Sequence, residues 1–107
     1  GVSEVGISSI TLSELLYGVE KSERRTQNHL ALAAFVTPLE IVVYDGSAAG
    51  EYGKIRSLLE RQGEPIGALD LLIAAHALSL GCMLVTNNMR EFKKVSGLLV
   101  EDWTVEG

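Results

Sequence analysis

Two carboxylates and one amide stand at positions where this chain could hold a divalent cation: Glu14, Asp70 and Asn88. Each lies beside a strongly apolar segment, in ITLSELLYG, GALDLLIA and LVTNNMREF respectively. Carboxylate and amide oxygens are the ligands that hard cations such as Mg²⁺ prefer in proteins. If the fold brings the three side chains together, the pattern predicts metal-assisted hydrolysis of a phosphodiester bond.

Apolar runs and helical periodicity alternate along the chain. The pattern predicts strands at residues 5–10, 41–44, 83–86 and, more weakly, 98–101, and helices at 11–21, 28–36, 47–62 and 70–80. The Gly/Pro cluster at 63–67 should end the third helix, and Gly81 should cap the fourth. This order predicts one α/β domain over residues 1–107, with a mainly parallel sheet covered on both faces. Ligands of such sheets bind beyond the carboxyl ends of the strands, where the candidate residues could converge.

The composition excludes several classes of protein. With 47% hydrophobic residues the chain is globular rather than disordered, and no apolar run approaches the roughly 20 residues of a membrane span. A net charge of -5 argues against coating of nucleic acid by charge alone, but a metal-dependent nuclease stays open because bound cations reverse the local field. The single cysteine, Cys82, lies in apolar surroundings and predicts a buried thiol in a reducing cytoplasm. Basic clusters such as Lys54, Arg56 and Arg61 are interpreted as solvated surface.

Each candidate residue also has a simple structural explanation. Thr11-x-x-Glu14 matches a capping box, in which Glu14 would only satisfy backbone donors. Asp70 could be the N-cap of the fourth helix, and Asn88 could cap a short helix that holds Phe92. The residue pattern leaves both kinds of explanation open.

Several segments together resemble a PIN-domain ribonuclease, and closely a VapC-type toxin of bacterial toxin–antitoxin pairs. The similar segments are residues 7–22, 55–63, 66–77, 84–92 and 101–103. No single motif is highly specific, but their order and spacing together are. Within the family, the chain is most similar to the subgroup that cuts initiator tRNA in the anticodon loop.

The resemblance implies a three-layer α/β/α PIN-like domain and a Mg²⁺- or Mn²⁺-dependent endoribonuclease. Glu14, Asp70 and Asn88 would be its metal ligands, and Thr86 would join them as a catalytic hydroxyl residue. The implied partners are a cognate VapB-type antitoxin, an RNA (tRNA) substrate and a second copy of the chain in a homodimer, with no membrane involved. We expect the protein to be cytoplasmic.

One feature departs from the family pattern. The family's first acidic residue lies on an initial strand, and no such strand precedes Val5 here. We therefore expect this chain to lack an N-terminal strand and helix of about 30 residues, present elsewhere as a separate chain, and to be inactive alone. The alternative function is that of a catalytically incomplete fragment acting only as an antitoxin- or subunit-binding module. Its helices at 11–36 would then bind through the apolar residues Leu15, Leu16, Leu32 and Phe35.

Overall fold

The computed structural model describes residues 6–86 and 89–102 of the chain. It divides into two compact units, Gly1–Tyr44 and Asp45–Gly107, and each is described by itself. Among the described residues, none of the helices is long and apolar enough to cross a membrane. That the two units form the predicted single domain stays a prediction.

In the first unit two helices connect two parallel strands. The order is β1 (Gly6–Ser8), α1 (Ser9–Lys21), α2 (Arg25–Val36) and β2 (Glu40–Val42). The strands are parallel, with Ile7 opposite Ile41. A Cβ atom on Gly6 would lie 2.9 Å from the Glu40 carbonyl oxygen, so a larger residue there would push the strands apart.

The predicted strand at 5–10 extends too far, because the helix begins inside it. The Ser8 hydroxyl accepts a hydrogen bond from the Ile10 amide at 3.1 Å and so acts as the N-cap of α1. Ile10 is therefore helical, while Val5 lies outside the described residues. Next to the cap, the Ser9 hydroxyl accepts a hydrogen bond from the Tyr44 amide at 3.2 Å. This bond ties the start of α1 to the chain beyond β2.

A short turn joins α1 to α2, and polar side chains hold it. The Asn28 side-chain amide donates to the Ser22 hydroxyl at 2.9 Å, and that hydroxyl donates to the Val19 carbonyl at 2.6 Å. The Glu20 carboxylate lies 2.8 Å from His29 Nε2, and this hydrogen bond lowers the pKa of Glu20. Side-chain bonding across the turn allows α2 to begin at Arg25, earlier than the predicted residue 28.

The second unit contains the remaining elements: α3 (Gly46–Arg61), α4 (Ala68–Leu80), β3 (Leu84–Thr86), α5 (Met89–Phe92) and β4 (Val100–Asp102). Asp45 starts α3 by accepting a hydrogen bond from the Ala48 amide at 3.1 Å. The chain leaves α3 through Gly63 and α4 through Gly81, whose φ angles of 72° and 67° lie in the left-handed region that favours glycine. Both helix ends were predicted from these glycines, and both predictions are confirmed.

The core of the second unit lies between α3 and α4 and extends to α5 and β4. Its buried residues share small or branched apolar side chains and one aromatic ring, and they are Ile55, Leu59, Leu71, Ala74, Ala75, Phe92 and Val95. Ala74 and Ala75 are fully buried, so α3 can pack directly against the backbone of α4. Cys82, predicted to be buried, is exposed because it follows the C-cap of α4 and lies outside this contact.

The strands of the second unit also pair in parallel. Leu84 lies opposite Val100, and Thr86 lies opposite Asp102. All four described strands are therefore parallel to their partners, as the alternating pattern predicted.

Substitution of two neighbouring leucines on α3, Leu58 and Leu59, tests which residues belong to the core. Leu59→Ala should lower the free energy of unfolding by about 2–5 kcal/mol, because Leu59 is only 2% exposed and its removal leaves a cavity. Leu58→Ala is the matched control on the same helix, since Leu58 is 37% exposed, and it should cost less than about 1.5 kcal/mol. Urea denaturation of both variants measures the difference. Equal losses would contradict the assignment of the core.

Candidate active site

Glu14 lies on α1 and does not cap it. The cap is Ser8, so Thr11 and Glu14 are both inside the helix, and the predicted alternative of a capping box is wrong. The Glu14 side chain is exposed. Its carboxylate therefore does not serve as the N-cap of its own helix.

Asp70 lies in the first turn of α4. The N-cap of this helix is Gly67, so the alternative that Asp70 itself is the N-cap is also wrong. The carboxylate lies near that helix end, because a Cβ atom on Gly67 would be 3.9 Å from Asp70 Oδ2. The residue is half-buried. A helix N-terminus carries partial positive charge, so acidic residues are common in the first turn.

The other two candidates belong to the segment between β3 and α5. Thr86 is the last residue of β3, opposite Asp102 in the sheet, and Asn88 lies outside the described residues. Leu84, at the start of β3, packs against the core to which α4 contributes. In parallel α/β units a strand generally runs antiparallel to the helix that precedes it, and this rule predicts that the end of β3 lies on the same side of the unit as the start of α4.

The predicted convergence of the candidate residues stays a prediction. Glu14 belongs to the first unit, and Asp70 and Thr86 belong to the second. Within residues 6–86 and 89–102, no three His, Cys, Asp or Glu side chains are close enough together to hold a metal ion. The predicted set contains only two carboxylates, and its other oxygens come from an amide and a hydroxyl. This donor set fits Mg²⁺, which uses few protein ligands and retains several waters.

Sequence reasoning missed a cavity in the second unit. It has a volume of about 210 Å³ and lies between α3 and the start of α4. Its polar wall consists of Tyr52, Arg56 and Glu60, which are spaced four residues apart and so share one face of α3. The spacing was visible in the sequence, but Arg56 was interpreted only as part of a solvated basic cluster.

Comparison with protein families gives a match over most of the chain. The family model of the PIN domain matches residues 1–98. The chain belongs to the PIN-domain family.

Curated relatives place this PIN domain in the VapC group. It is 49% identical over 98 residues to the tRNA(fMet)-specific endonuclease VapC of Shigella flexneri, covering 92% of this chain and 74% of that protein. It is 46% identical over 99 residues to Ribonuclease VapC2 of Rickettsia felis, with coverage of 92% and 74%. The resemblance to VapC-type proteins is therefore confirmed.

Solved structures confirm the predicted PIN-like α/β fold. A crystal structure of DNA-bound VapBC from Salmonella typhimurium matches with a TM-score of 0.91 and 47% identity, covering 95% of this chain and 77% of that one. VapBC2 from Rickettsia felis, bound to a DNA fragment from its promoter, matches with a TM-score of 0.89 and 46% identity, covering 92% and 74%.

Two substitutions test whether Ser8 or Glu14 caps the start of α1. Ser8→Ala should destabilise the PIN domain by about 0.5–2 kcal/mol, because the Ile10 amide loses its acceptor. Glu14→Ala should change stability by less than about 0.5 kcal/mol, since Glu14 is exposed and is not the cap. Thermal unfolding of the two variants gives the comparison. A larger loss for Glu14→Ala than for Ser8→Ala would support the capping box instead.

Proposed function

We propose that this PIN domain is the catalytic part of a Mg²⁺-dependent endoribonuclease toxin of a type II toxin–antitoxin system, with initiator tRNA as its substrate. The observation that carries the proposal is the identity of 49% to a tRNA(fMet)-specific endonuclease over 92% of the chain. Identity at this level over nearly the whole chain, with a TM-score of 0.91 to a VapBC structure, supports a common reaction as well as a common fold.

The residues of the proposed site are Glu14, Asp70, Asn88 and Thr86. Glu14 supports the proposal because its side chain is exposed and is not the N-cap of α1, and Asp70 supports it by its place in the first turn of α4. In that turn the partial positive charge of a helix N-terminus favours an acidic side chain. Asn88 would add a neutral oxygen to the metal, and the Thr86 hydroxyl would donate to a phosphate oxygen of the RNA.

Mg²⁺ or Mn²⁺ fits this set by the chemistry of its oxygen donors. When bound, the cation would supply Lewis-acid stabilisation of the negative charge that develops on the phosphoryl group. The residues of the chain would position the phosphoryl group. The chain is acidic overall, with a net charge of -5, so close approach of an RNA phosphate to Glu14 and Asp70 needs a bound cation between them.

We also propose a VapB-type antitoxin and a second copy of the chain as partners. The solved relatives from Rickettsia felis and Salmonella typhimurium are VapBC complexes. In the first unit, the apolar residues Leu15, Leu16 and Phe35 are 37%, 38% and 60% exposed. Exposed apolar helix faces of this kind support binding of a partner helix.

The proposed activity is tested by cleavage of purified initiator tRNA with the full-length protein. Asp70→Asn should lower the cleavage rate by about a hundredfold or more, because even a residue that only orients a metal ligand contributes 10- to 100-fold. Addition of EDTA should abolish cleavage, and excess Mg²⁺ should restore it. The measurement is the initial rate of appearance of the two tRNA fragments on a denaturing gel.

Asp45→Asn is the matched control for this experiment. It makes the same carboxylate-to-amide change at the start of the neighbouring helix α3, where an asparagine side chain can still accept the hydrogen bond from the Ala48 amide. Its cleavage rate should equal that of the unchanged protein. Cleavage that survives both EDTA and Asp70→Asn would overturn the metal mechanism. Antitoxin binding by a full-length protein that cuts no RNA would favour the alternative of a binding module.

A further inference from the structure

The cavity between α3 and the start of α4 is built like a recognition site. We call it the α3–α4 pocket, and it is lined by Tyr52, Arg56, Leu59, Glu60, Pro65, Ile66, Ala68 and Leu71. Its volume of about 210 Å³ is smaller than the roughly 300–1,000 Å³ of sites for drug-sized ligands, so it has room for one ring system. All of its residues belong to the second unit.

The polar wall of the α3–α4 pocket is organised before any ligand binds. Arg56 Nε donates to Glu60 Oε2 at 3.0 Å, and Arg56 Nη1 donates to the Tyr52 hydroxyl at 3.0 Å. The guanidinium carbon lies 6.0 Å from the centroid of the Tyr52 ring. These contacts raise the pKa of Arg56, and they bring a planar cation, a phenol ring and a carboxylate together at one rim, where the side chains of Arg56 and Glu60 are 56% and 58% exposed.

The floor of the pocket is apolar. Leu59 and Leu71 are 2% and 4% exposed, and Ile66 is half-buried beside them. A ligand that fills the pocket therefore needs a flat or apolar face for the floor and a polar edge for the rim. The edge must offer both donors and acceptors, because Arg56 presents only donors and the Glu60 carboxylate only acceptors.

We propose that the α3–α4 pocket binds one unpaired nucleobase of the RNA substrate. A nucleobase has two apolar π-faces, one of which can stack on Tyr52, and edges that carry both donors and acceptors for Arg56 and Glu60. A phosphate group does not match, since Glu60 neutralises Arg56 and would repel it. The inference rests on the proposed ribonuclease function and adds a specificity-determining site to it.

The position of the pocket agrees with a role in substrate recognition. Ala68 and Leu71 line it from the first turn of α4, and Asp70 lies in that same turn. Asp70 is not part of the pocket lining and lies about 100° around the helix from Leu71, so a base in the pocket and a phosphate at Asp70 would lie on different faces of the same helix end, within about one helical turn of 5.4 Å along the axis. The base would set which phosphate reaches the catalytic residues.

The test measures RNA binding apart from cleavage. The full-length protein carrying Asp70→Asn is titrated with a fluorescent RNA hairpin, and each loop nucleotide is replaced in turn by an abasic one. One abasic position should weaken binding by about fivefold to a hundredfold, the range of base–aromatic stacking. In a second protein that also carries Arg56→Gln, the same abasic position should cost at least about twofold less, since the hydrogen bonds from Arg56 to the base edge are already lost while the stack on Tyr52 stays.

Two matched controls separate recognition of a base from the general effect of charge. Lys54→Gln removes the same charge from the same helix, at a side chain that is 78% exposed and outside the pocket, and it should leave the abasic effect unchanged. Glu60→Ala removes the acceptor oxygens, whereas glutamine would keep one. It also makes the protein less negative, so charge alone predicts tighter binding, whereas loss of a base contact predicts weaker binding. Glu51→Ala makes the same change on α3 outside the pocket.

The outcomes are distinct. Tighter binding by Glu60→Ala, or an abasic effect that is the same with and without Arg56, would overturn the pocket and leave the proposed ribonuclease standing. Loss of antitoxin binding by Arg56→Gln with unchanged RNA binding would assign the pocket to a peptide instead and also overturn the inference. Failure of the intact hairpin to bind any of the proteins would overturn both the pocket and the proposed function.

Discussion

The close packing of α3 on α4 is the constraint on which the second unit depends. It requires residues without bulk at the contact, and Ala74 and Ala75 supply them with no exposed surface at all. The loop between the helices has to reverse the chain in a few residues, which Gly63 makes possible at a φ of 72°. Asp70 is placed by this packing, because it lies one helical turn before the fully buried Ala74. The same contact encloses the apolar floor of the α3–α4 pocket.

The helices differ in which residue serves as the N-cap. Ser8 caps α1 and Asp45 caps α3 through their own side chains, while Gly67 precedes α4 without a side-chain cap. Asp45 is consequently committed to its helix. Glu14 and Asp70 are not the N-caps of theirs.

To act on RNA as proposed, a chain with a net negative charge needs local binding sites rather than a broad positive surface. The net charge of -5 works against general attraction of phosphates. Two kinds of site are compatible with this net charge. One is a metal ion held by oxygen ligands, and the other is a small pocket in which an arginine is already neutralised by a neighbouring carboxylate. The Arg56–Glu60 pair is of the second kind, since it offers directional hydrogen bonds without a net charge. Discrimination between RNA sites would then come from shape and base edges more than from electrostatic attraction.

The sequence by itself determined the order of helices and strands, the parallel pairing and the family, because these follow from apolar periodicity, breaker glycines and spaced motifs that act locally. It also determined the end of α4 at Gly81, where only the left-handed conformation fits. The start of α1 was missed, because Ser8, Ser9 and Thr11 can all act as N-caps. Only the tertiary structure shows that the Ser9 hydroxyl accepts a hydrogen bond from the Tyr44 amide, whereas Ser8 caps the helix. Likewise, the grouping of Tyr52, Arg56 and Glu60 over an apolar floor was decided by the tertiary structure. Their spacing placed them on one face of α3, but the loop and α4 had to pack beside that face before it became a pocket.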